Sequence, residues 1–132
     1  MVDDMGLFRT TIAIAPLASP DRRIELADVL VDTGSEYNWL PATLLDNLGI
    51  AAVRVDRFET ADGRVVERDV GFAMIYAGGR STPTLVVFAN DSDMVLLGAI
   101  ALEGLNLRVD LLRRQLVSAG PVPVASTAGA IA

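Results

Sequence analysis

An apolar, β-branched run that stops dead in a carboxylate constrains this chain most. In Asp28-Val29-Leu30-Val31-Asp32-Thr33-Gly34-Ser35, a strand-forming segment ends at Asp32 and turn chemistry follows at once. Asp32 therefore sits where a buried strand runs out. Thr33 and Ser35 bring hydroxyls beside it, and Gly34 lets the backbone approach without a Cβ in the way. A carboxylate so placed can be held by short hydrogen bonds, and the rest of the sequence decides what it is for.

The surrounding chain reads as β structure. Gly6 to Pro16 (GLFRTTIAIAP) favours a strand, Ser19-Pro20-Asp21 breaks it, and Arg22 to Val31 returns as its hairpin partner. Beyond the loop, Leu40, Leu44, Leu45 and Leu48 fall at helical spacing, with Pro41 tolerable in a first turn and Gly49 a natural stop. Val53 to Glu59 and Arg64 to Val70 form a hairpin around the Ala61-Asp62-Gly63 turn. Phe72 to Tyr76 and Thr82 to Ala89 form another around Gly78-Gly79. Met94-Val95-Leu96-Leu97-Gly98 is a second apolar run ending in Gly, which repeats the approach to Asp32 without the acid. Ala99 to Leu105 reads as a short helix, and Asn106 to Asp110 and Gln115 to Val117 as strand-like pieces.

Composition narrows the chemistry. The 132 residues form one domain, 1–117, followed by an Ala/Pro/Ser-rich tail, 118–132, with little to pack and expected to be mobile. Eleven basic against seventeen acidic residues give a net charge of −6, and no basic patch is present, which argues against nucleic acid. With no Cys and no His, disulfides, thiolate nucleophiles, Ser-His-Asp arrangements and nearly all zinc sites are excluded. Asn90-Asp91-Ser92-Asp93 has oxygens spaced like the start of a calcium loop, but the later Gly and terminal Glu are missing, so it reads as a plain turn and no metal or cofactor is expected. No apolar run reaches the roughly 18 residues of a membrane span, and Asp3 and Asp4 stand where an export signal is basic, so a cytoplasmic location is expected.

Two stretches at this separation, VLVDTGS at 29–35 and VLLGAIALEGLNLRVD at 95–110, resemble the retropepsin-like aspartic proteases, the group of the retroviral enzymes and their bacterial relatives. The likeness covers roughly residues 7 to 117. It implies an all-β, retropepsin-like acid-protease barrel with one or two short helices. It implies Asp32 as the catalytic acid, Thr33 bracing the loop, Gly34 at the substrate backbone and Ser35 beside them. Leu96, Leu97 and Gly98 become the structural support of the loop, and Ala61, Asp62 and Gly63 the tip of a substrate-covering flap. Ala99 departs from the retroviral pattern, in which an Arg there pairs with an acid just past the loop, so Glu36 lacks that partner.

The chemistry then demands two chains. Hydrolysis by this route uses two carboxyls sharing one proton, and the sequence holds a single Asp-Thr-Gly. The second carboxyl must come from Asp32 of another copy, which makes the expected enzyme a homodimeric aspartic endopeptidase acting on polypeptide substrates. The alternative is a catalytically inactive, protease-like module that binds peptide or dimerises. If the Ser35 hydroxyl donates to Asp32, it favours the charged form and moves the acid limb of the pH–rate profile to lower pH. Trp39 reads as an aromatic behind the loop. The pockets are expected to be apolar around Ala61, Val65 and Leu85.

Overall fold

The computed structural model describes residues 8–125. Gly6 and Leu7, at the start of the first expected strand, and residues 126–132 of the expected tail lie outside the described residues. Strands β1 (Phe8–Ala15) and β2 (Ile24–Val31) form the first hairpin, antiparallel with Phe8 opposite Val31. Its register shifts between Thr10 and Ile12, close to Asp28, which takes a positive φ of 60°. That bulge tightens the twist of β2 just before it delivers Asp32.

A four-residue strand β3 (Asn38–Pro41) follows the loop and leads into helix α1 (Ala42–Asn47). Leu40 and Pro41, expected in the first helical turn, belong instead to β3, where they pair with a later strand, so the helix starts at Ala42; it ends before Gly49, the expected stop. Then come β4 (Arg54–Glu59), β5 (Val65–Ala77) and β6 (Arg80–Ala89), joined by tight hairpins. Gly78 and Gly79 have φ of 58° and 76°, a conformation open to glycine and costly for other residues. The two segments read separately as Arg64–Val70 and Phe72–Tyr76 are one strand. β5 runs straight through Gly71, where a Cβ would stand 2.8 Å from the Ala51 carbonyl oxygen. Here the glycine admits a neighbouring backbone and breaks nothing.

β7 (Leu96–Leu97) and α2 (Ala99–Leu105) complete the main body, and β8 (Leu107–Asp110) pairs with β9 (Gln115–Ser118) as a separate two-stranded ribbon. The main sheet runs β1-β2-β7-β3-β6-β5-β4, and an added β1–β5 pairing, Ala13 opposite Tyr76, closes it into a barrel with β4 outside the closure. The result is an all-β barrel with two short helices, the architecture expected of the sequence. Ile12, Ile14, Val29, Val31, Leu40, Leu45, Ile75, Leu97 and Leu105 fill its interior, so the strand ends that carry the loop rest on a packed floor. Ser118 closes β9, the Ala119 amide donates to the Asn106 carbonyl at 3.0 Å, and the Asn106 side chain donates to the Gly120 carbonyl at 2.9 Å. Among the described residues no helix is long and apolar enough to cross a membrane.

Candidate active site

β2 and β7 lie side by side in parallel, Leu30 opposite Leu96 and Val31 opposite Leu97. The pairing continues one step past the strand: the Asp32 amide donates to the Leu97 carbonyl at 3.0 Å. The chain then turns, with the Ser35 amide donating to the Asp32 carbonyl at 3.2 Å and the Gly34 amide to Asp32 Oδ1 at 2.9 Å. One carboxylate oxygen is thus oriented by the loop's own backbone. Asp32 is half-buried and lines a groove, with Thr33 and Gly34 exposed beside it.

The support motif works through backbone groups. The first amides of a helix have no acceptor within it. In α2 they are used to hold the loop: Ala99 N–H donates to the Ser35 carbonyl at 2.7 Å and Ile100 N–H to the Glu36 carbonyl at 3.0 Å. With Ala at position 99 the hold on this side of the loop is main-chain, and Glu36 stays exposed. Gly98 makes the close approach possible, since a Cβ there would lie 2.7 Å from the Ser35 carbonyl oxygen and 2.9 Å from that of Glu36.

Asn38 completes the support and escaped the reading of the sequence. It is fully buried; its Oδ1 accepts the Gly98 amide at 2.8 Å and its Nδ2 donates to the Leu85 carbonyl at 3.0 Å and to Thr84 Oγ1 at 3.3 Å. One amide side chain thus ties the support motif to β6. The signal was available in outline, because a lone Asn between apolar neighbours must find buried partners.

Ser35 differs from expectation. Its hydroxyl donates to the Tyr37 carbonyl at 3.1 Å, within the loop, and not to Asp32. The condition for an effect on the acid limb is therefore unmet.

The loop opens on a groove of about 560 Å³ whose lining includes Asp32, Trp39, Phe58, Ala61, Met94 and Leu96. A second hollow of about 600 Å³ adjoins it and shares Gly34 and Phe58. Phe58 stacks edge-on against Trp39, 5.0 Å between centroids, and against Tyr37, 5.8 Å. These rings pack over buried Val70, Leu85 and Val87. The apolar lining thus comes from Trp39, Phe58, Val66, Met94 and Leu96. Val65 points outward to solvent, as strand alternation dictates, and Leu85 lies beneath the rings.

Of the expected flap tip, Ala61 lines the groove. Gly63, at φ 85°, and Asp62 build the turn itself. Asp62 accepts from the Thr60 hydroxyl, from the Arg64 amide at 3.3 Å and from Arg64 Nε at 3.0 Å. These bonds, the Thr60 hydroxyl first, hold its carboxyl below the usual range although the turn is exposed. Across the groove, Asn90–Asp93 is the plain turn expected, with the Asp93 amide donating to the Asn90 carbonyl at 3.0 Å. Among the described residues no cluster of three or more His, Cys, Asp or Glu is placed to hold a metal ion.

Asp32, Gly34, Ser35, Ala61 and Leu96 therefore meet at one groove, while Leu97 and Gly98 support it from below. Residues 24–100, which contain both the loop and its support, match the family described as aspartyl protease. A search of curated proteins finds no match. Among solved structures, the solution structure of the protease of simian foamy virus (mac) is 16% identical and covers 72% of this chain and 91% of its own, with a TM-score of 0.49. A Legionella pneumophila protein of unknown function is 17% identical over 75% of this chain and 86% of its own, with a TM-score of 0.40.

Proposed function

The chain belongs to the aspartyl protease family, and on that premise we propose that it is a homodimeric aspartic endopeptidase whose site is built from the Asp32 carboxyls of two copies. The observation that carries the reading is the setting of Asp32: one oxygen fixed by the Gly34 amide, the backbone pinned to Leu97, and an apolar groove in front. A two-fold axis through the loops brings like acids face to face, which a single Asp-Thr-Gly requires.

In the working dimer the two carboxyls share one proton and hold a water between them. The ionised carboxylate takes a proton from that water as its oxygen attacks the peptide carbonyl, and the protonated partner donates to the carbonyl oxygen. The resulting diol collapses with cleavage of the C–N bond: one diol hydroxyl returns its proton to the second carboxylate as the C=O re-forms, and the leaving nitrogen takes a proton from the first carboxyl, which restores the one-proton pair. No group outside the two loops is needed to balance the step. The apolar walls exclude water from around the acids and receive the side chains of an extended peptide.

Asp32→Asn tests this, with cleavage of an unstructured protein as the assay and folding and dimerisation as controls. Mixing sharpens it. Wild-type subunits diluted with exchanging Asp32→Asn subunits lose activity as the square of the wild-type fraction, because every one-acid dimer is dead. A loss linear in that fraction overturns the shared site. Peptide bound equally, and left uncut, by wild type and variant assigns the chain to the inactive-module reading.

A further inference from the structure

Arg68 and Asp93 lie 25 residues apart and meet in a two-pronged ion pair, Nε to Oδ2 at 2.7 Å and Nη2 to Oδ1 at 2.9 Å. Their side chains are only 14% and 15% exposed. The pairs Arg54–Asp56, Arg64–Asp62 and Arg113–Asp110 join near neighbours in the sequence, each with at least one well-exposed partner. Both ends are anchored further: Arg68 Nη1 donates to the Glu67 carbonyl at 2.8 Å, and Asp93 Oδ2 accepts the Asn90 amide at 2.8 Å.

The position of the pair gives it a role. Arg68 stands on β5, opposite Asp56 of β4, in the hairpin whose Thr60, Ala61 and Arg64 line one side of the groove. Asp93 lines the groove itself, in the turn that also supplies Ser92 and Met94 and leads into β7, whose Leu97 holds the Asp32 amide. The pair is thus a side-chain strut from the hairpin to the turn. We infer that it is a latch that sets the width of the groove and so limits which peptide side chains the site admits. The inference rests on reading the groove as the peptide site. Arg68, which does not line the groove, is the positioning residue in it, acting through the hairpin and through Asp93. A guanidinium fork on a carboxylate fixes both separation and angle, whereas an ammonium fixes separation alone. Arg68→Lys therefore keeps part of the function and Arg68→Ala none.

Two measurements on the full chain test the latch. In steady-state cleavage of paired peptides carrying Ala or Phe beside the scissile bond, Arg68→Ala raises KM about tenfold with kcat within about twofold, since ground-state binding is what is lost. It also flattens the Phe-to-Ala preference, and Arg68→Lys falls between. A fall in kcat at unchanged KM, or an unchanged preference, overturns the proposal. Amide hydrogen exchange supplies a readout that needs no cleavage: Arg68→Ala speeds exchange in 60–64 and 90–94 together and leaves β8 and β9 as they were. Faster exchange confined to 90–94, or spread evenly over the chain, overturns the latch whether or not any peptide is cut. Coupled exchange in a wild type that cuts nothing leaves the latch standing and removes the protease reading.

Discussion

The Gly98 amide donates to the buried Asn38 side chain at 2.8 Å, and the space a Cβ at 98 would need is already occupied by the carbonyls of Ser35, Glu36 and Tyr37. Those obstacles are main-chain atoms of the loop that carries Asp32, so they cannot swing aside as a flexible side chain would. Gly98→Ala therefore costs about 3 kcal/mol of stability and displaces the loop. Denaturant unfolding reads the first effect. A collapse of peptide cleavage in the fraction that stays folded reads the second.

Asn38→Ala acts on the same joint from the other side. It leaves the buried Gly98 amide without its acceptor and takes a donor from the carbonyl of buried Leu85. The expected loss is about 2–4 kcal/mol, since buried groups deprived of a partner forfeit their desolvation cost in full. The urea midpoint falls with the slope unchanged, which marks lost native stability over a changed unfolded state.

Ser35→Ala removes one hydrogen bond to the Tyr37 carbonyl and leaves the Asp32 contacts intact. The expected result is a loss of about 1 kcal/mol in stability and an acid limb of the pH–rate profile that does not move. An acid limb shifted upward by the substitution would mean that the hydroxyl turns to Asp32 in the working dimer.

What the sequence disclosed was local chemistry. The end of β2 at Asp32, the turns at Asp62-Gly63 and Gly78-Gly79 and the span of α2 each follow from residues within a few positions of one another. What stayed hidden depends on distant partners. β3 exists because Asn38 to Pro41 pair in parallel with Val86 to Ala89, and four residues show no period of their own. Gly71 looked like a break because the backbone of Ala51 that it accommodates is twenty positions upstream. A serine hydroxyl beside two acceptors chooses between them on geometry that composition cannot supply, so the sequence leaves the Ser35 acceptor open and the structure gives it as the Tyr37 carbonyl. Asp93 read as a turn residue, and its ion pair with Arg68 depends on how β5 passes the turn.

That ion pair also makes part of the stability depend on pH. Arg68, by its hydrogen bonds first, holds the Asp93 carboxyl below the ordinary carboxylate range, with the Asn90 amide adding to the effect. A carboxyl depressed in the folded state binds its proton more readily in the unfolded chain. Its contribution is therefore fully present above the ordinary value of about 3.9 and is lost as pH falls through the lower folded value. Wild type should exceed Asp93→Asn by about 2 kcal/mol at pH 7, between the worth of exposed and buried pairs. The gap stays flat down to about pH 5 and closes below about pH 4. Asp62 is depressed too, but it is present in both proteins and cancels from the difference. Unfolding free energies of the two proteins from pH 7 to pH 3 make the check. A gap as wide at pH 3 as at pH 7 would show that the charge on Asp93 is not its source.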